Sequence, residues 1–249
     1  MTVIAVIPAR FAAARLPGKP LLDLGGKPII AHVVARALAA KRIDEVLVAT
    51  DHEGIASAAR KAGAEAIMTE PNLPSGSDRI GAALRGRDYS LAINLQGDEP
   101  EIEPQALDAL VDAMSRQNKP QMGTLSAPLL AYQAADPNCV KVVTDDQNLA
   151  LYFSRAPIAT SRDDLLAGSA LLRCAARRHI GVYAYRPDAL LQFLTAPPSE
   201  LEKMERLEQL RALELGMRIV VVPLDAAPRG IDTLEDLQQA RQRLAERTL

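Results

Sequence analysis

The chain of 249 residues has no tryptophan, and Phe, Tyr and Trp together make up 3% of it. A surface that stacks bases along a strand of nucleic acid needs aromatic platforms, and this composition does not supply them. A strong basic field is missing as well. Against 29 Lys and Arg stand 31 Asp and Glu, for a net charge of −2 and a pI near 6.0, so nothing draws a polyanion to the whole surface. Two cysteines, Cys139 and Cys174, lie far apart with no CxxC spacing, which supports neither a disulfide framework nor a zinc site. Hydrophobic runs stay short. "VIAVIPAR" at the start meets Arg10 at once, too short for a secretory signal, and nowhere do the roughly 18 apolar residues of a membrane span follow one another. These absences lead us to expect a soluble cytoplasmic protein.

What is present is an ordinary globular composition, 48% hydrophobic and 24% charged, enough for one large domain or a domain with a lobe. Residues 3–8 read as a buried strand. Residues 27–41 place Ile29, Ile30, Val33, Val34, Ala37 and Leu38 on one helical face. "EVLVATD" (45–51) is the next strand, 53–62 the next helix, "AEAIMT" a third strand, 77–86 a helix, and "SLAINLQGDEP" (90–100) a strand ending in a polar turn. Strands alternating with helices at this spacing predict a mostly parallel sheet covered by helices. From about 120 to 186 the apolar runs "QMGTLSAPL", "CVKVVTD", "LALYFSR" and "HIGVYAYR" are mostly short-linked, predicting antiparallel strands in an inserted lobe. The polar, Arg-rich stretch 160–178 reads as an excursion over a site. Helices follow at 187–196 and 200–215, then the strand "RIVVVPLD" and the terminal helix "TLEDLQQARQRLAER". The expectation is one α/β domain over 1–249 with a smaller inserted lobe.

Three groups of residues could carry chemistry. The loop after the first strand holds Arg10, Arg15 and Lys19 with Gly18 and several prolines. Loops at the carboxyl ends of parallel strands line the binding crevice, and backbone N–H groups with flexible cations suit a polyphosphate. The spacing is neither GxxxxGK[ST] nor GxGxxG. A solvated basic loop is the bland alternative. Next, Asp98 and Glu99 in "LQGDEP" follow a strand at the same edge, where a Mg²⁺ ligand belongs, although Gly-Asp is also a common turn pair. Asp232 opens the terminal helix, where it or Thr233 is expected as an N-cap with Glu235 completing a capping box. In the lobe, His179, Gly181, Tyr183 and Tyr185 alternate onto one strand face with Val182 opposite, and Gly181 clears space. Arg155 offers a carboxylate-binding fork, while Glu205 and Glu208 also fit a solvated helix face. His32 and His52 read as structural.

Taken together, "VIPARFAAARLPGKPL", "NLQGDEP", "LYFSR", "RHIGVYAYR", "LEKMERLEQLR" and "GIDTLEDL" resemble, in order and over nearly the whole chain, the 3-deoxy-manno-octulosonate (KDO) cytidylyltransferase family. "RLPGKPL" alone would indicate only a sugar nucleotidyltransferase, and the downstream blocks point to KDO. The resemblance implies a Rossmann-like, glycosyltransferase-A-like nucleotidyltransferase fold and transfer of CMP from CTP to KDO, releasing pyrophosphate, for lipopolysaccharide biosynthesis. It also implies Mg²⁺ and a homodimer. Carried over by position, Arg10, Arg15 and Lys19 would hold the triphosphate. Pro8 and Ala9 with Ser75, Gly76, Arg79 and Gln96 would frame the nucleotide. Asp98 and Asp232 would be the metal ligands, and with Lys19 the catalytic set. Arg155, His179, Tyr183, Glu208 and Gln209 would take the sugar acid. The chain departs from the family where Ala13 and Ala14 replace Ser-Thr before the loop Arg, and where "PIATSRDD" carries Ala159 and Thr160 in place of a Pro-aromatic pair. Another 2-keto sugar acid, of the amino-KDO or sialate type, is the alternative acceptor. A non-catalytic nucleotide-binding protein is the alternative of another class.

Overall fold

The computed structural model describes residues 1–12, 16–115, 120–168 and 172–246. In chain order it begins with β1 (Val3–Ala9), the short hairpin β2 (Asp23–Leu24) and β3 (Lys27–Pro28), then α1 (Ile29–Leu38), β4 (Glu45–Thr50) and α2 (Glu53–Lys61). β5 (Glu65–Met68), α3 (Gly76–Ala83), β6 (Leu91–Asn94) and α4 (Pro104–Met114) follow. Next come β7 (Met122–Ala127), β8 (Lys141–Thr144), β9 (Ala150–Ser154), α5 (Arg162–Leu166), β10 (Arg177–Tyr185), α6 (Pro187–Thr195), α7 (Glu200–Glu205), α8 (Glu208–Glu214) and β11 (Ile219–Pro223). α9 (Leu234–Glu246) ends the described chain. It divides into two compact units, one of Met1–Val111 with Pro228–Leu249, the other of Asp112–Ala227.

In the first unit the strands stand in the order β6-β1-β4-β5 and every pair is parallel. Parallel strands covered on both faces read as continuous apolar runs, and Val3, Ile4, Ala5, Val6 and Ile7 are each no more than 2% exposed. α1 buries Ile29, Ile30, Val33, Val34 and Ala37, the stripe that the sequence predicts except for Leu38, which is exposed. Each of the isoleucine and valine side chains contributes about 1.5–3 kcal/mol of burial free energy. α2 starts at His52, whose Nδ1 accepts from the Gly54 amide at 3.1 Å, and α3 starts at Ser75, whose hydroxyl accepts from the Asp78 amide at 3.2 Å. Because β1, β4 and β6 run the same way, their carboxyl ends Ala9, Thr50 and Asn94 lie on one edge, and the loops after them gather there.

In the second unit β7 pairs parallel with β11 and antiparallel with β10, while β8 joins β10 to β9 in antiparallel register. The unit extends past the expected lobe of about 120–186, because β11 returns to pair parallel with β7, while β7, β10, β8 and β9 are joined antiparallel as the sequence predicts. The expected helix 200–215 is two helices. Arg206 takes the left-handed conformation at φ 53°, and the chain turns there between α7 and α8. The α/β class with a mostly parallel mixed sheet holds.

Candidate active site

Lys19 is the centre of the site in the first unit. Its Nζ donates to Asp98 Oδ2 at 2.7 Å and to Asp232 Oδ1 at 3.1 Å, joining residues that are 79 and 213 positions away in sequence. Burial pushes the ammonium pKa down, but the charges and hydrogen bonds of Asp98 and Asp232 outweigh it and hold the value above its ordinary 10.5. Lys19 is therefore a cation throughout the neutral range.

Local sequence explains how the three arrive. Gly18 sits at φ 68°, where a Cβ would be strained and would meet the Phe11 ring at 3.4 Å. Its amide donates to Phe11 O, the Lys19 amide to Leu16 O and the Leu21 amide to Gly18 O. The loop thus spends these N–H groups on closing itself, contrary to the expectation that they face a ligand, and the charges it offers are side chains. Arg10 is exposed and, among the described residues, makes no hydrogen bond or ion pair. Arg15, with Ala13 and Ala14, lies outside the described residues.

Asp98 follows β6 through Gly97, where an added Cβ would come within 3.1 Å of Pro8 O. Only glycine lets the two strand ends approach so closely. The Ile231 amide donates to Asp98 O at 2.9 Å and fastens the segment before α9. The cap of α9 differs from the expected one: Thr233 Oγ1 accepts from the Asp236 amide at 3.1 Å, and Asp236 Oδ2 accepts from the Thr233 amide at 2.8 Å. The reciprocal partner is Asp236 and not Glu235, since the residue three positions after the cap reaches back. With capping done by Thr233 and Asp236, the Asp232 carboxylate faces Lys19.

Beside this cluster Pro8, Gly76 and Gln96 converge. A Cβ on Gly76 would lie 3.6 Å from Pro8 Cγ and 3.9 Å from Gln96 Oε1, and Gln96 Nε2 donates to Asn94 Oδ1 at 2.6 Å. Ala9 is 3% exposed and Ser75 caps α3. Arg79 is different from the expectation of a ligand-framing group. It is 3% exposed, bound to the Thr69 hydroxyl and Pro71 O, and 3.7 Å from Asp51. Asp51 in turn accepts from the Phe11 amide at 3.1 Å. Arg79 and Asp51 therefore brace the rim. His52, read as structural, also stacks on Phe11 with ring centroids 4.2 Å apart, a contact no spacing rule would find. His32 is structural, its Nε2 2.7 Å from Leu24 O.

The second unit assembles the other predicted group. His179 Nε2 is 3.0 Å from Thr124 Oγ1. The His179 ring meets Phe153 edge-on at 5.0 Å and Tyr183 at 5.5 Å. Burial holds the His179 pKa down at about 3, so the ring is neutral in the physiological range. Burial, with the nearby Tyr185 and the Glu208 charge, lifts the Tyr183 phenol well above 10, keeping it an O–H donor. Gln209 is 3% exposed with its Nε2 unpartnered among the described residues, a donor left over for a ligand. Tyr185 does not share the open face: it is 2% exposed and packs 5.9 Å from Phe193.

Arg155 is committed elsewhere. Its Nε donates to Glu205 O at 2.7 Å, Nη1 to Pro137 O at 2.9 Å and Nη2 to Arg206 O at 3.4 Å. Glu205 answers by accepting from the Arg155 amide at 2.9 Å and from Ser154 Oγ at 2.7 Å. The buried Lys141 donates to Asp136 O at 3.0 Å, to Cys139 O at 2.8 Å and to Arg155 O. This network holds the left-handed turn at Arg206 that starts α8, and with it Glu208 and Gln209. Lys141 and Glu205 are the functional residues that sequence reasoning missed in any such role; a lone Lys on an apolar strand was the available signal.

A cytidylyltransferase family model matches residues 4–219. The 3-deoxy-manno-octulosonate cytidylyltransferase of Anaeromyxobacter sp. (strain Fw109-5) is 50% identical over 98% of this chain and 97% of its own. That of Methylococcus capsulatus is 48% identical over 98% of this chain and 97% of its own. A solved CMP:2-keto-3-deoxy-manno-octonic acid synthetase complexed with CTP superposes with a TM-score of 0.91 at 40% identity, covering 99% of this chain and 100% of that one. A cytidylyltransferase from Leptospira borgpetersenii shares the fold alone, at 18% identity and TM-score 0.65. The chain belongs to the cytidylyltransferases, among the 3-deoxy-manno-octulosonate cytidylyltransferases.

Proposed function

We propose that this protein transfers CMP from CTP to the anomeric hydroxyl of KDO, releasing pyrophosphate and supplying activated sugar for lipopolysaccharide biosynthesis. The observation that carries the chemistry is the Asp98–Lys19–Asp232 cluster at the carboxyl edge of a parallel sheet. Two carboxylates fit Mg²⁺, which keeps several waters and adds substrate phosphate oxygens to one or two acids. Asp98 and Asp232 would hold the ion, which supplies charge neutralisation at the phosphates and a lowered pKa for a bound hydroxyl. Lys19 and Arg10 bring the cationic charge that the triphosphate needs as negative charge shifts toward the leaving pyrophosphate. Arg15 is assigned to the same task. Pro8, Ala9, Ser75, Gly76 and Gln96 take the cytidine, and Arg79 holds their rim.

His179, Tyr183, Glu208 and Gln209 take the sugar acid. Their mixture of neutral donors and acceptors with one carboxylate suits a polyhydroxylated ligand. Arg155 serves by fixing α8 rather than by an open fork. No helix among the described residues is long and apolar enough to cross a membrane, which supports placing the reaction in the cytoplasm beside its CTP supply. We assign a homodimer as the working form, to be checked by sedimentation.

The test is pyrophosphate release from CTP and Mg²⁺ with KDO or sialate as acceptor, beside an Asp98→Ala control. Turnover with KDO that the substitution abolishes supports the reading. Turnover with sialate alone keeps the chemistry and moves the acceptor.

A further inference from the structure

Thr124 lies on β7, 0% exposed, opposite a break in the register of β10. His179 pairs with Ser126 and Ile180 with Leu125, yet the next pair is Tyr183 with Thr124. Gly181 and Val182 are therefore extra residues, a bulge of the kind that re-aims neighbouring side chains. The Thr124 hydroxyl sits against this bulge, 3.1 Å from Ile180 O, 2.9 Å from Val182 O and 3.0 Å from His179 Nε2.

A hydroxyl has one hydrogen to donate and two lone pairs that accept. Both carbonyls can only accept, so they claim the Thr124 hydrogen. Were His179 Nε2 also a bare acceptor, three acceptors would face one hydrogen and Oγ1 would accept nothing. The arrangement is satisfied only when Nε2 carries its hydrogen and donates to Oγ1. Burial keeps the ring neutral, so a hydrogen on Nε2 leaves Nδ1 bare, and Nδ1 has no hydrogen-bond partner among the described residues.

We infer that Thr124 is a positioning residue that fixes His179 as the neutral Nε2–H tautomer, so that Nδ1 accepts a hydroxyl hydrogen of the sugar acid and turns away its carboxylate. The second half rests on the placing of His179 in the sugar-acid site. A bare imidazole lone pair attracts an O–H and repels an anion, so the choice of tautomer decides which part of the acceptor this side chain reads. Tyr183, an O–H donor 5.5 Å away between ring centroids, offers the complementary polarity.

The test uses full-length protein carrying ¹⁵N-labelled histidine, with Thr124→Val, Thr124→Ser and His179→Asn variants. In the wild type and in Thr124→Ser the His179 Nε2 signal should be that of a protonated nitrogen and Nδ1 that of a bare one, without any ligand. Thr124→Val, which keeps the shape and removes the hydroxyl, should mix the tautomers. It should raise the KM for the sugar acid about two- to tenfold, the range of one neutral hydrogen bond, leaving the KM for CTP unchanged, and Thr124→Ser should restore it. A protonated Nδ1 in the wild type overturns the inference. So does a Thr124→Val enzyme with unchanged sugar-acid KM while His179→Asn raises it. If His179→Asn leaves that KM untouched, the placing of His179 in the sugar-acid site falls, and with it the half of the inference that concerns the ligand.

Discussion

Lys19 sits between the two carboxylates proposed as metal ligands, whose partial burial strengthens their mutual repulsion. In Lys19→Met those carboxylates lose their resident cation, so Mn²⁺ binding without nucleotide, read by electron paramagnetic resonance, should tighten by about tenfold, as expected for removing a competing charge. Turnover should fall at the same time, because the triphosphate loses a cation. Asp98→Asn should do the reverse for the metal and lower turnover by about 10²-fold or more. His179 carries a pH signature of its own. Its folded pKa of about 3 lies below the ordinary 6.5, so between these values the unfolded chain binds more protons than the folded one. Stability from the neutral ring is complete above pH 6.5 and is lost as pH falls toward 3. Urea denaturation across that window should show a slope that His179→Gln diminishes. The residues of this site are visible in the sequence as types: cations after a strand, an acid after another, a histidine in a strand. Their commitments are not. Arg155 and Arg79 carry the same charge as Arg10, yet carbonyls and Asp51 far away in the sequence claim them.

At the scale of elements, the periodic helices and apolar strands of the first unit declare themselves because each buries a continuous stripe, as in β1 and α1. The break between α7 and α8 does not, since "LEKMERLEQLR" continues a helical pattern through Arg206. What breaks it is the Arg155–Glu205–Lys141 network, built from residues 14 to 64 positions apart in sequence. A left-handed non-glycine residue costs about 1 kcal/mol, so Arg206→Gly should leave stability unchanged or raise it by up to about 1 kcal/mol. Arg206→Val, β-branched in the same conformation, should lower it by more than that. Thermal melts of the two variants decide the matter: Arg206→Gly should melt no lower than the wild type, and Arg206→Val should melt lower. α9 offers a parallel case. Thr233→Ala removes the hydroxyl that caps the Asp236 amide and should cost about 1 kcal/mol. The loss should depend on pH, for burial raises the Asp236 pKa but the hydrogen bonds from Asp232 and Thr233 bring it below its ordinary value. This cap contributes above the ordinary carboxylate range and is lost as pH falls through the folded value.

For the whole molecule, the pairing of β7 with β11 joins segments about 100 residues apart, which no local pattern encodes. That is why the second compact unit runs on past the short-linked strands to Ala227. Function is more legible than topology here, since the site draws on short motifs that follow strand ends, such as those after β1 and β6. Those motifs, the Asp98–Lys19–Asp232 cluster and the likeness to a synthetase solved in complex with CTP converge on one claim: CMP passes to a sugar acid rather than to water. Pyrophosphate release alone does not separate these fates. The direct measurement follows the label from CTP bearing ³²P at the α-phosphate, with KDO and Mg²⁺ present. The account predicts label in a CMP–sugar acid, formed only when KDO is added. Label appearing as free CMP at the same rate with or without KDO would contradict it.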